Sequence, residues 1–236
     1  MSGPLLSVVI PAYNEAKRIR ATLAALQLSL RESGLEGAEV IVADDSSTDE
    51  TAALAREMGA TVVHSGKRNI GGTRNVGAAV ATGEYLLFLD ADTLVSPALL
   101  GELRAHMERG ALGGGARIAF SEPSVWWAEW IVSLWNSYSR LSRTPAGSFF
   151  FMRREAFEKV GGFDERWYVS EELHLGKALK KLGKLVILRE AAATSPRKAH
   201  EFTWREHLRF YWIGLRAPIR TLQDPEKLEI WYTRRD

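Results

Sequence analysis

The feature of this sequence that most limits its possible folds is the alternation of short apolar runs with amphipathic segments along its first half. Short connections join these segments, a pattern typical of a mostly parallel sheet with helices on its faces. We predict strands at about 5–10, 38–43, 60–64 and 84–89 and helices at about 15–33, 48–58, 72–82 and 97–109. A chain of 236 residues has an ordinary length for one α/β domain, so we expect a single domain over residues 1–236.

The most informative polar residues follow the fourth predicted strand. Residues 84–89 are almost entirely apolar, which predicts a strand buried on both faces, and Asp90 and Asp92 come directly after it. Residues two apart in an extended chain point the same way, so the two carboxylates would form a pair of hard oxygen ligands at the sheet edge. Acids in such places often only cap a helix, but Ser96 and Pro97 supply the cap of the next helix. The pattern therefore predicts a site for a divalent cation and a phosphate.

Polar clusters also follow the first and second predicted strands, at residues 11–15 and 44–49. Because the carboxyl ends of parallel strands share one edge of a sheet, both clusters should lie beside the two aspartates. Ser47 and Glu50 match a capping box, so part of the second cluster is expected to begin a helix. Asp44 lies outside that pattern and remains a candidate for binding.

Two predicted helix N-termini carry further candidates. Residues 71–77 open a helix with glycines and Arg74, chemistry suited to an approaching phosphate, although an arginine that is merely solvated explains the pattern equally well. Ser170 is predicted to cap a later helix. Its first turn contains Glu171 and Glu172, where acids commonly do no more than complement the helix dipole.

Clusters of glycine and tryptophan mark the second half of the chain. Residues 113–115 are three glycines inside a predicted strand, where they would let another backbone or a ligand come close. Apolar residues at helical spacing predict a helix over 127–141, and Trp126 and Trp130 widen its apolar face. Such a face is usually core or a subunit contact, but its tryptophans also fit a sugar ring or a lipid headgroup layer. The aromatic and basic segment 201–220 is predicted to be a helix packed on the domain.

Taken in order, these motifs resemble the family 2 glycosyltransferases, inverting enzymes of the GT-A fold. The matching segments are 8–15, 44–49, 72–77, 90–92, 161–165 and 171–172, and they lie within roughly residues 5–190. The resemblance implies a Rossmann-like, mostly parallel central sheet flanked by helices. It also implies a nucleotide-sugar binding half over about 1–110 and an acceptor and catalytic half over about 111–236, with a helical region on the acceptor side.

Carried over residue by residue, the resemblance implies a donor site along the first strands. Pro11, Tyr13 and Glu15 would border the nucleoside, Asp44 would touch the base, Arg74 would lie near the diphosphate, and Asp90 would reach the ribose. The donor would be a UDP-sugar or a GDP-sugar. Both bases stay open, because the loops that read them cannot be derived from the sequence.

The resemblance also implies a divalent metal and a catalytic base. Mn²⁺ or Mg²⁺ would be held by Asp92, with Asp90 beside it. Many GT-A enzymes present a histidine to the metal after the last core strand, but here His200 comes several residues late, so a metal ligand and a surface histidine both stay open. Glu172 occupies the position of the base beside Glu171, where the usual pair is Glu-Asp. The N-terminus of a helix favours the anionic form of such a base.

The activity that this resemblance implies is a metal-dependent transfer of one sugar to a glycan, lipid-linked or small-molecule acceptor. Processive synthases of the family carry a Gln-x-x-Arg-Trp motif and transmembrane helices, which this sequence lacks, so a single transfer is expected. The alternative is a sugar-phosphate nucleotidyltransferase, whose Gly-x-Gly-x-Arg loop would stand where this chain has residues 11–15. A third reading, from a different class, is a non-catalytic sugar-binding relative.

Composition limits the kinds of catalysis and the cellular location that we expect for this protein. The absence of cysteine excludes thiol catalysis, Cys-ligated zinc and disulfides. A net charge of +2 gives no sign of a nucleic-acid binder. Without a leader pattern or a long apolar run, we expect a cytoplasmic protein, and the aromatic and basic segments leave open a peripheral contact at the inner face of the membrane. The oligomeric state also stays open.

Overall fold

The computed structural model describes residues 3–197 and residue 200, which contain one mixed sheet and the helices packed on it. The strands are β1 (Leu6–Ala12), β2 (Glu39–Asp44), β3 (Thr61–His64), β4 (Tyr85–Leu89), β5 (Thr93–Leu94), β6 (Gly113–Phe120), β7 (Phe149–Arg153) and β8 (Val186–Thr194). The helices are α1 (Ala16–Glu32), α2 (Thr51–Glu57), α3 (Ile70–Ala79), α4 (Pro97–Glu108), α5 (Trp126–Ser142), α6 (Arg154–Val160) and α7 (Glu171–Leu179). Every strand and helix predicted for the first half is present, which confirms the alternating pattern.

The strands lie in the order β3-β2-β1-β4-β7-β6-β8-β5. β1 is parallel to β2 and β4, β2 is parallel to β3, and β6 is parallel to β8. β7 is antiparallel to both of its neighbours, and the short β5 is antiparallel to β8. The predicted mostly parallel sheet is therefore confirmed, and the carboxyl ends of β1, β2 and β4 lie at the same edge.

The central strand β4 is buried on both faces, as its apolar sequence predicts. Leu87 and Leu89 pack into one core with Leu23 of α1, while Leu86 and Phe88 pack into a second core with α6 and α7. Burying each such side chain stabilises the fold by about 1.5–3 kcal/mol relative to leaving it exposed. The two cores fix the end of β4, and this determines the position of Asp90 and Asp92, which follow the strand.

The glycines of β6 allow its neighbours to approach closely. A Cβ atom on Gly114 would lie 2.0 Å from the carbonyl oxygen of Val186, and one on Gly113 would lie 2.7 Å from that of Phe151. Any larger residue would therefore push β7 or β8 away. This confirms close backbone approach as the reason for the three glycines.

The capping box predicted before α2 is wrong. The helix begins at Thr51, whose backbone N–H donates to Asp49 Oδ1 at 3.0 Å, and Glu50 makes no side-chain capping bond. Ser47 Oγ instead accepts a hydrogen bond from the Asn14 backbone N–H at 2.9 Å. Asp49 therefore accepts from the first backbone N–H of α2, while Ser47 joins two loops.

The cap predicted for α7 is also wrong. Ser170 does precede the helix, but its backbone is left-handed, with φ of 66°, and its side chain makes no capping bond. Leu175 and Leu179 of this helix are buried, whereas Leu182 lies beyond the end of α7 and is exposed. The first turn of α7 thus receives no help from a serine hydroxyl, and its acidic residues are held by tertiary contacts.

Helix α5 turns polar side chains inward, so much of its apolar face is not part of the core, which was one of the roles left open for it. Asn136 Oδ1 accepts from the backbone N–H of Ile118, and Asn136 Nδ2 donates to the carbonyl oxygen of Ile118, both at 2.8 Å. Ser139 Oγ, which is buried, donates to the carbonyl oxygen of Thr144 at 2.7 Å. The large exposed side chains of this helix are Trp126, Trp130, Leu134, Tyr138 and Leu141, with 81% of Trp126 and 89% of Leu141 accessible. We call these five residues the aromatic face of α5.

No helix in residues 3–197 is both long and apolar enough to cross a membrane. The helix predicted over 201–220 lies outside the described residues.

Candidate active site

The loops that follow β1 and β2 are joined to each other at the edge of the sheet. Asn14 and Ser46 have left-handed backbones, with φ of 51° and 64°. The Thr48 backbone N–H donates to Asn14 Oδ1 at 2.7 Å, next to the contact of Asn14 with Ser47. Non-glycine residues hold such conformations only where the surroundings fix them, and functional sites are a common place.

Asp44, the last residue of β2, is a buried carboxylate at this edge. Its Oδ2 accepts from the Ser47 backbone N–H at 3.2 Å, but its Oδ1 is buried and has no hydrogen-bond partner among the described residues. Leaving a buried acceptor unpaired costs about 1–3 kcal/mol. Asp45, by contrast, accepts from Ser65 Oγ and from the Arg68 backbone N–H, so it holds the loop after β3. Asp44 is therefore the aspartate of this pair that has a buried acceptor oxygen left for a ligand.

Arg74 of α3 lies at the centre of the site and is buried, with only 1% of its surface accessible. Its Nη1 is 2.6 Å from Glu171 Oε1, and its Nη2 is 2.8 Å from Asp90 Oδ1 and 3.1 Å from the carbonyl oxygen of Gly147. Burial lowers the pKa of Arg74, but the carboxylates of Asp90 and Glu171 raise it by more, so the guanidinium stays charged. Sequence reasoning expected Arg74 near a diphosphate, whereas its buried contacts tie the residues after β4 to the start of α7.

The two glutamates at the start of α7 have different surroundings. Glu171 is buried, and burial raises its pKa against the opposing effect of Arg74. Glu172 keeps part of its surface in solvent, but burial of its carboxyl group and the neighbouring Glu171 raise its pKa to about 8. The expectation that the N-terminus of the helix would favour the anion is therefore wrong, because desolvation outweighs the helix dipole. The protonated form of Glu172 is therefore more favoured than that of an ordinary glutamate.

Two asparagines of α3 fix the loop that leads to α7. Asn75 Nδ2 donates to the carbonyl oxygen of Phe163, and Asn75 Oδ1 accepts from the Phe163 backbone N–H, both at 2.9 Å. Asn69, which caps α3, donates from Nδ2 to the carbonyl oxygen of Trp167 at 3.1 Å. The Arg74 guanidinium lies 5.3 Å from the centre of the Phe163 ring. Helix α3 thus positions both the charge and the loop on which the two glutamates depend.

Asp92 faces a second arginine at the same edge. Arg197, which follows β8, places Nη1 and Nη2 each 3.1 Å from Glu15 Oε1, and its Nη2 is 3.6 Å from Asp92 Oδ2. Sequence reasoning did not single out Arg197, although a basic residue soon after the last strand was visible. It also passed over Gly147, where a Cβ atom would lie 3.3 Å from Arg74 Nη2 and 3.6 Å from Glu172 Cδ.

The residues expected to bind a metal are not gathered into a cluster. Within residues 3–197 and residue 200, no group of three or more His, Cys, Asp or Glu side chains is arranged to hold an ion. Asp90 shares Oδ1 with Arg74, and His200 is exposed. The hard oxygens of Asp92 do suit Mg²⁺ or Mn²⁺, ions that are often bound by one or two carboxylates and the phosphates of a substrate. These residues therefore fit a divalent cation that is bound by Asp92 and by phosphate oxygens of a substrate.

Solved structures of similar shape define the class of fold. Mannosyltransferase PcManGT from Pyrobaculum calidifontis, in complex with GDP-Man and Mn²⁺, has a TM-score of 0.65 at 20% identity, covering 96% of this chain and 65% of that chain. Mannosyl-3-phosphoglycerate synthase from Rubrobacter xylanophilus has a TM-score of 0.66 at 20% identity, covering 94% of this chain and 75% of that chain. The protein therefore has the GT-A fold of the glycosyltransferases.

Sequence comparison then gives the family. The model of Glycosyl transferase family 2 matches residues 7–161. An uncharacterized glycosyltransferase of Mycobacterium tuberculosis is 31% identical over 173 residues, covering 70% of this chain and 75% of the relative. The chain belongs to glycosyl transferase family 2 and is a glycosyltransferase, which confirms the resemblance seen in its motifs. Glu171 and Glu172 lie beyond the matched segment, so their contacts in the structure are what connect them to the rest of the site.

Proposed function

We propose that this glycosyltransferase transfers one sugar from a UDP-sugar or GDP-sugar to an acceptor hydroxyl, with inversion at the anomeric carbon. The observation that carries the proposal is the convergence on Arg74 of Asp90, from the turn after β4, and Glu171, from the start of α7. Glu172 thereby lies close to the sheet edge where ligands of open α/β folds bind. In this proposal residues 1–110 bind the donor, and residues 111–236 complete the acceptor and catalytic side.

The donor nucleoside is proposed to bind between the ends of β1 and β2. Asp44 Oδ1, the buried acceptor without a partner in the described chain, would accept an N–H of the base. Both uracil and guanine carry such an N–H, so this contact alone does not choose between UDP and GDP. Pro11 lies on the neighbouring strand β1, and Tyr13, which is 48% exposed, and Glu15 follow that strand. All three would border the nucleoside. Asp90 would reach the ribose.

Glu172 is proposed to act as the general base. Its carboxylate takes the proton of the acceptor hydroxyl while that oxygen attacks the anomeric carbon from the face opposite the nucleotide. The bond from the anomeric carbon to the diphosphate oxygen breaks, the nucleoside diphosphate leaves, and the configuration inverts. A pKa of about 8 makes Glu172 a stronger base than an ordinary glutamate once it is ionised. Glu171 holds Glu172 in place through the buried ion pair with Arg74.

Asp92 is proposed to hold a divalent cation, Mn²⁺ or Mg²⁺, together with the donor phosphates. Such a cation would offset the negative charge that grows on the departing diphosphate. Asp90, although close in sequence, is engaged by Arg74 and would contribute less. His200 is exposed and follows β8 by several residues, so it is the weakest candidate in this set.

The acceptor is proposed to bind on the side of α5, whose C-terminal end leads directly to the loop that contains Gly147. A cavity of about 280 Å³ lies between β6 and α5 and is lined in part by Arg117 and Arg140. Arginines suit a phosphate-bearing acceptor, and the aromatic face of α5 suits the headgroup layer of a membrane. These features favour a lipid-linked acceptor met at a membrane surface. A soluble glycan or small molecule, bound without any membrane contact, is the competing acceptor class.

The test is a donor screen with product analysis. Wild-type protein and Glu172→Gln are incubated with UDP-glucose, UDP-N-acetylglucosamine and GDP-mannose in the presence of Mn²⁺, and released nucleoside diphosphate is measured. Wild type should release it slowly by hydrolysis and faster with a suitable acceptor, and proton NMR of the product should show an inverted anomeric centre. Consumption of a sugar phosphate and nucleoside triphosphate with release of pyrophosphate would indicate a nucleotidyltransferase. Binding without turnover would indicate a non-catalytic relative.

A further inference from the structure

Several acids line the phosphate-binding edge of the proposed site in the described part of the chain. Glu15, Asp90 and Asp92 all lie there, yet a nucleoside diphosphate that binds beside them is itself an anion. Arg74 cannot balance this charge, because its guanidinium is buried between Asp90 and Glu171. Donor binding therefore needs a cation that can reach the phosphates, whether or not a metal ion also binds.

Arg197 is a cation among the described residues, and it lies at this edge of the sheet. Its guanidinium lies between Glu15, on the turn after β1, and Asp92, on the turn after β4. The Glu15 side chain is 8% accessible and that of Arg197 is 18% accessible, so the acid holds the arginine in a mostly buried pair while part of the Arg197 side chain stays accessible to solvent. The 3.6 Å separation from Asp92 Oδ2 is an ion pair without a tight hydrogen bond. By distance, Asp92 therefore holds the guanidinium less tightly than Glu15 does.

We propose that Arg197 is a diphosphate-binding residue of the donor site. This inference rests on the proposed function, since it concerns the nucleoside diphosphate of the same donor. The planar guanidinium, anchored on Glu15, donates N–H groups to phosphate oxygens, a geometry that arginine provides better than lysine. As the bond from the anomeric carbon to the diphosphate breaks, the charge that gathers on the leaving group is partly balanced by Arg197. Arg197 thus supplies a positive charge beside Asp92 whether or not a metal ion is bound.

The test compares diphosphate with monophosphate in the absence of metal. UDP, UMP, GDP and GMP are titrated calorimetrically into wild type, Arg197→Gln and Arg197→Lys with EDTA present. Wild type should bind one of the diphosphates more tightly than its monophosphate, and Arg197→Gln should lower that preference by about tenfold or more, because hydrogen bonds to charged groups are strong. Arg197→Lys should keep part of the preference, since it retains a point charge without the planar fork. Affinity for UMP or GMP should change little in either variant.

Arg18→Gln is the matched control. Arg18 Nη1 lies 3.7 Å from Glu15 Oε2, so this change removes another cation from the same anchor, and it should leave the diphosphate preference unchanged. If wild type lacks any preference in EDTA, or if Arg197→Gln keeps it, the inference is overturned. If Arg197→Gln does not fold, an unchanged preference in Arg197→Lys overturns it equally. If wild type binds neither UDP nor GDP even with Mn²⁺, it is the proposed function that fails.

Discussion

Arg74 Nη1 and Glu171 Oε1 form a buried ion pair of 2.6 Å between residues 97 positions apart in the chain. The same guanidinium also binds Asp90 and the carbonyl oxygen of Gly147. One side chain on α3 therefore fixes the turn after β4 relative to the first turn of α7. Because both partners are nearly inaccessible to water, removal of Arg74 would leave the Glu171 carboxylate buried without its cation.

Arg74→Met is expected to destabilise the protein by about 3–5 kcal/mol, the usual cost of removing one partner of a buried ion pair. Most of this cost comes from Glu171, whose carboxylate would remain buried without its cation. Urea unfolding followed by circular dichroism measures the change. The double variant Arg74→Met, Glu171→Leu should recover part of the loss, and a single variant as stable as wild type would contradict the buried pair.

Glu172→Gln is expected to lower kcat about 10²–10⁴-fold, the usual contribution of a positioned general base. Donor affinity should stay near that of wild type, since glutamine preserves the shape of the side chain. Glu171→Gln is the matched control and should lower kcat less, after correction for the fraction folded. Steady-state kinetics of both variants with one donor checks the assignment, and the reverse order of kcat values would move the base to Glu171.

The pH dependence of activity follows from the raised pKa of Glu172. The base must be ionised to act, so kcat/KM should increase with pH and level off above about 8. An ordinary glutamate, with a pKa near 4.5, would instead give a flat profile across this range. Rates measured from pH 6 to pH 9 with a saturating acceptor distinguish the two cases.

Stability should change with pH in the opposite direction. A group whose pKa is higher in the folded state stabilises the fold below its unfolded pKa and loses that contribution as pH increases through its folded pKa. Wild type should therefore become less stable between about pH 4.5 and pH 8. Glu172→Gln, which stays neutral, should lose less over the same interval. Urea unfolding of both proteins at pH 5, 7 and 9 is the measurement, and parallel curves would contradict the raised pKa.

Asp92→Asn is expected to abolish the Mn²⁺-dependent part of UDP or GDP binding while leaving the fold intact. The residue is a partly exposed ligand candidate at a strand end, so its loss uncovers no core. Asp90→Asn should affect metal-dependent binding less and thermal stability more, because Asp90 is a partner of the buried Arg74. Calorimetric titration with and without Mn²⁺ tests both variants. Unchanged binding by Asp92→Asn would rule out the metal assignment.

The aromatic face of α5 is expected to bind anionic vesicles at low salt. Under these conditions the attraction between basic residues of the protein and anionic lipids is strongest. Sedimentation with vesicles of phosphatidylcholine and phosphatidylserine is the measurement. Trp126→Ser with Trp130→Ser should reduce the bound fraction, because both side chains are exposed and both suit the headgroup layer. Leu28→Ser, at an exposed apolar residue of α1, is the control and should have no effect. Wild-type protein that stays in the supernatant would exclude a lipid-facing acceptor site.

The strands and helices of the first half were predictable because their signals are local. The run that forms β4 is apolar at every position, and Ser96 caps α4 through its own hydroxyl, which accepts from the Leu99 backbone N–H. Such features depend on a few neighbouring residues and on burial alone. The sheet edge that gathers the loops after β1, β2 and β4 follows directly from the parallel order of these strands.

The features that escaped prediction depend on contacts between distant residues. Ser47 looks like a helix cap in sequence, but Asn14 from another loop takes its hydroxyl. The apolar pattern of α5 shows that the helix is amphipathic without showing which side faces the sheet, and Asn136 decides this by pairing with Ile118. The pKa of Glu172 could not be anticipated either, because desolvation by the completed fold opposes what the N-terminus of a helix alone would do.

The pairing of β7 with β4 and that of Glu171 with Arg74 both join distant parts of the chain. Between β4 and β7 lie β5, α4, β6 and α5. A chain that ended before α7 would lack Glu171, one of the two carboxylates that pair with Arg74. Truncation at that point would therefore leave the buried guanidinium with Asp90 as its remaining ion-pair partner among the described residues.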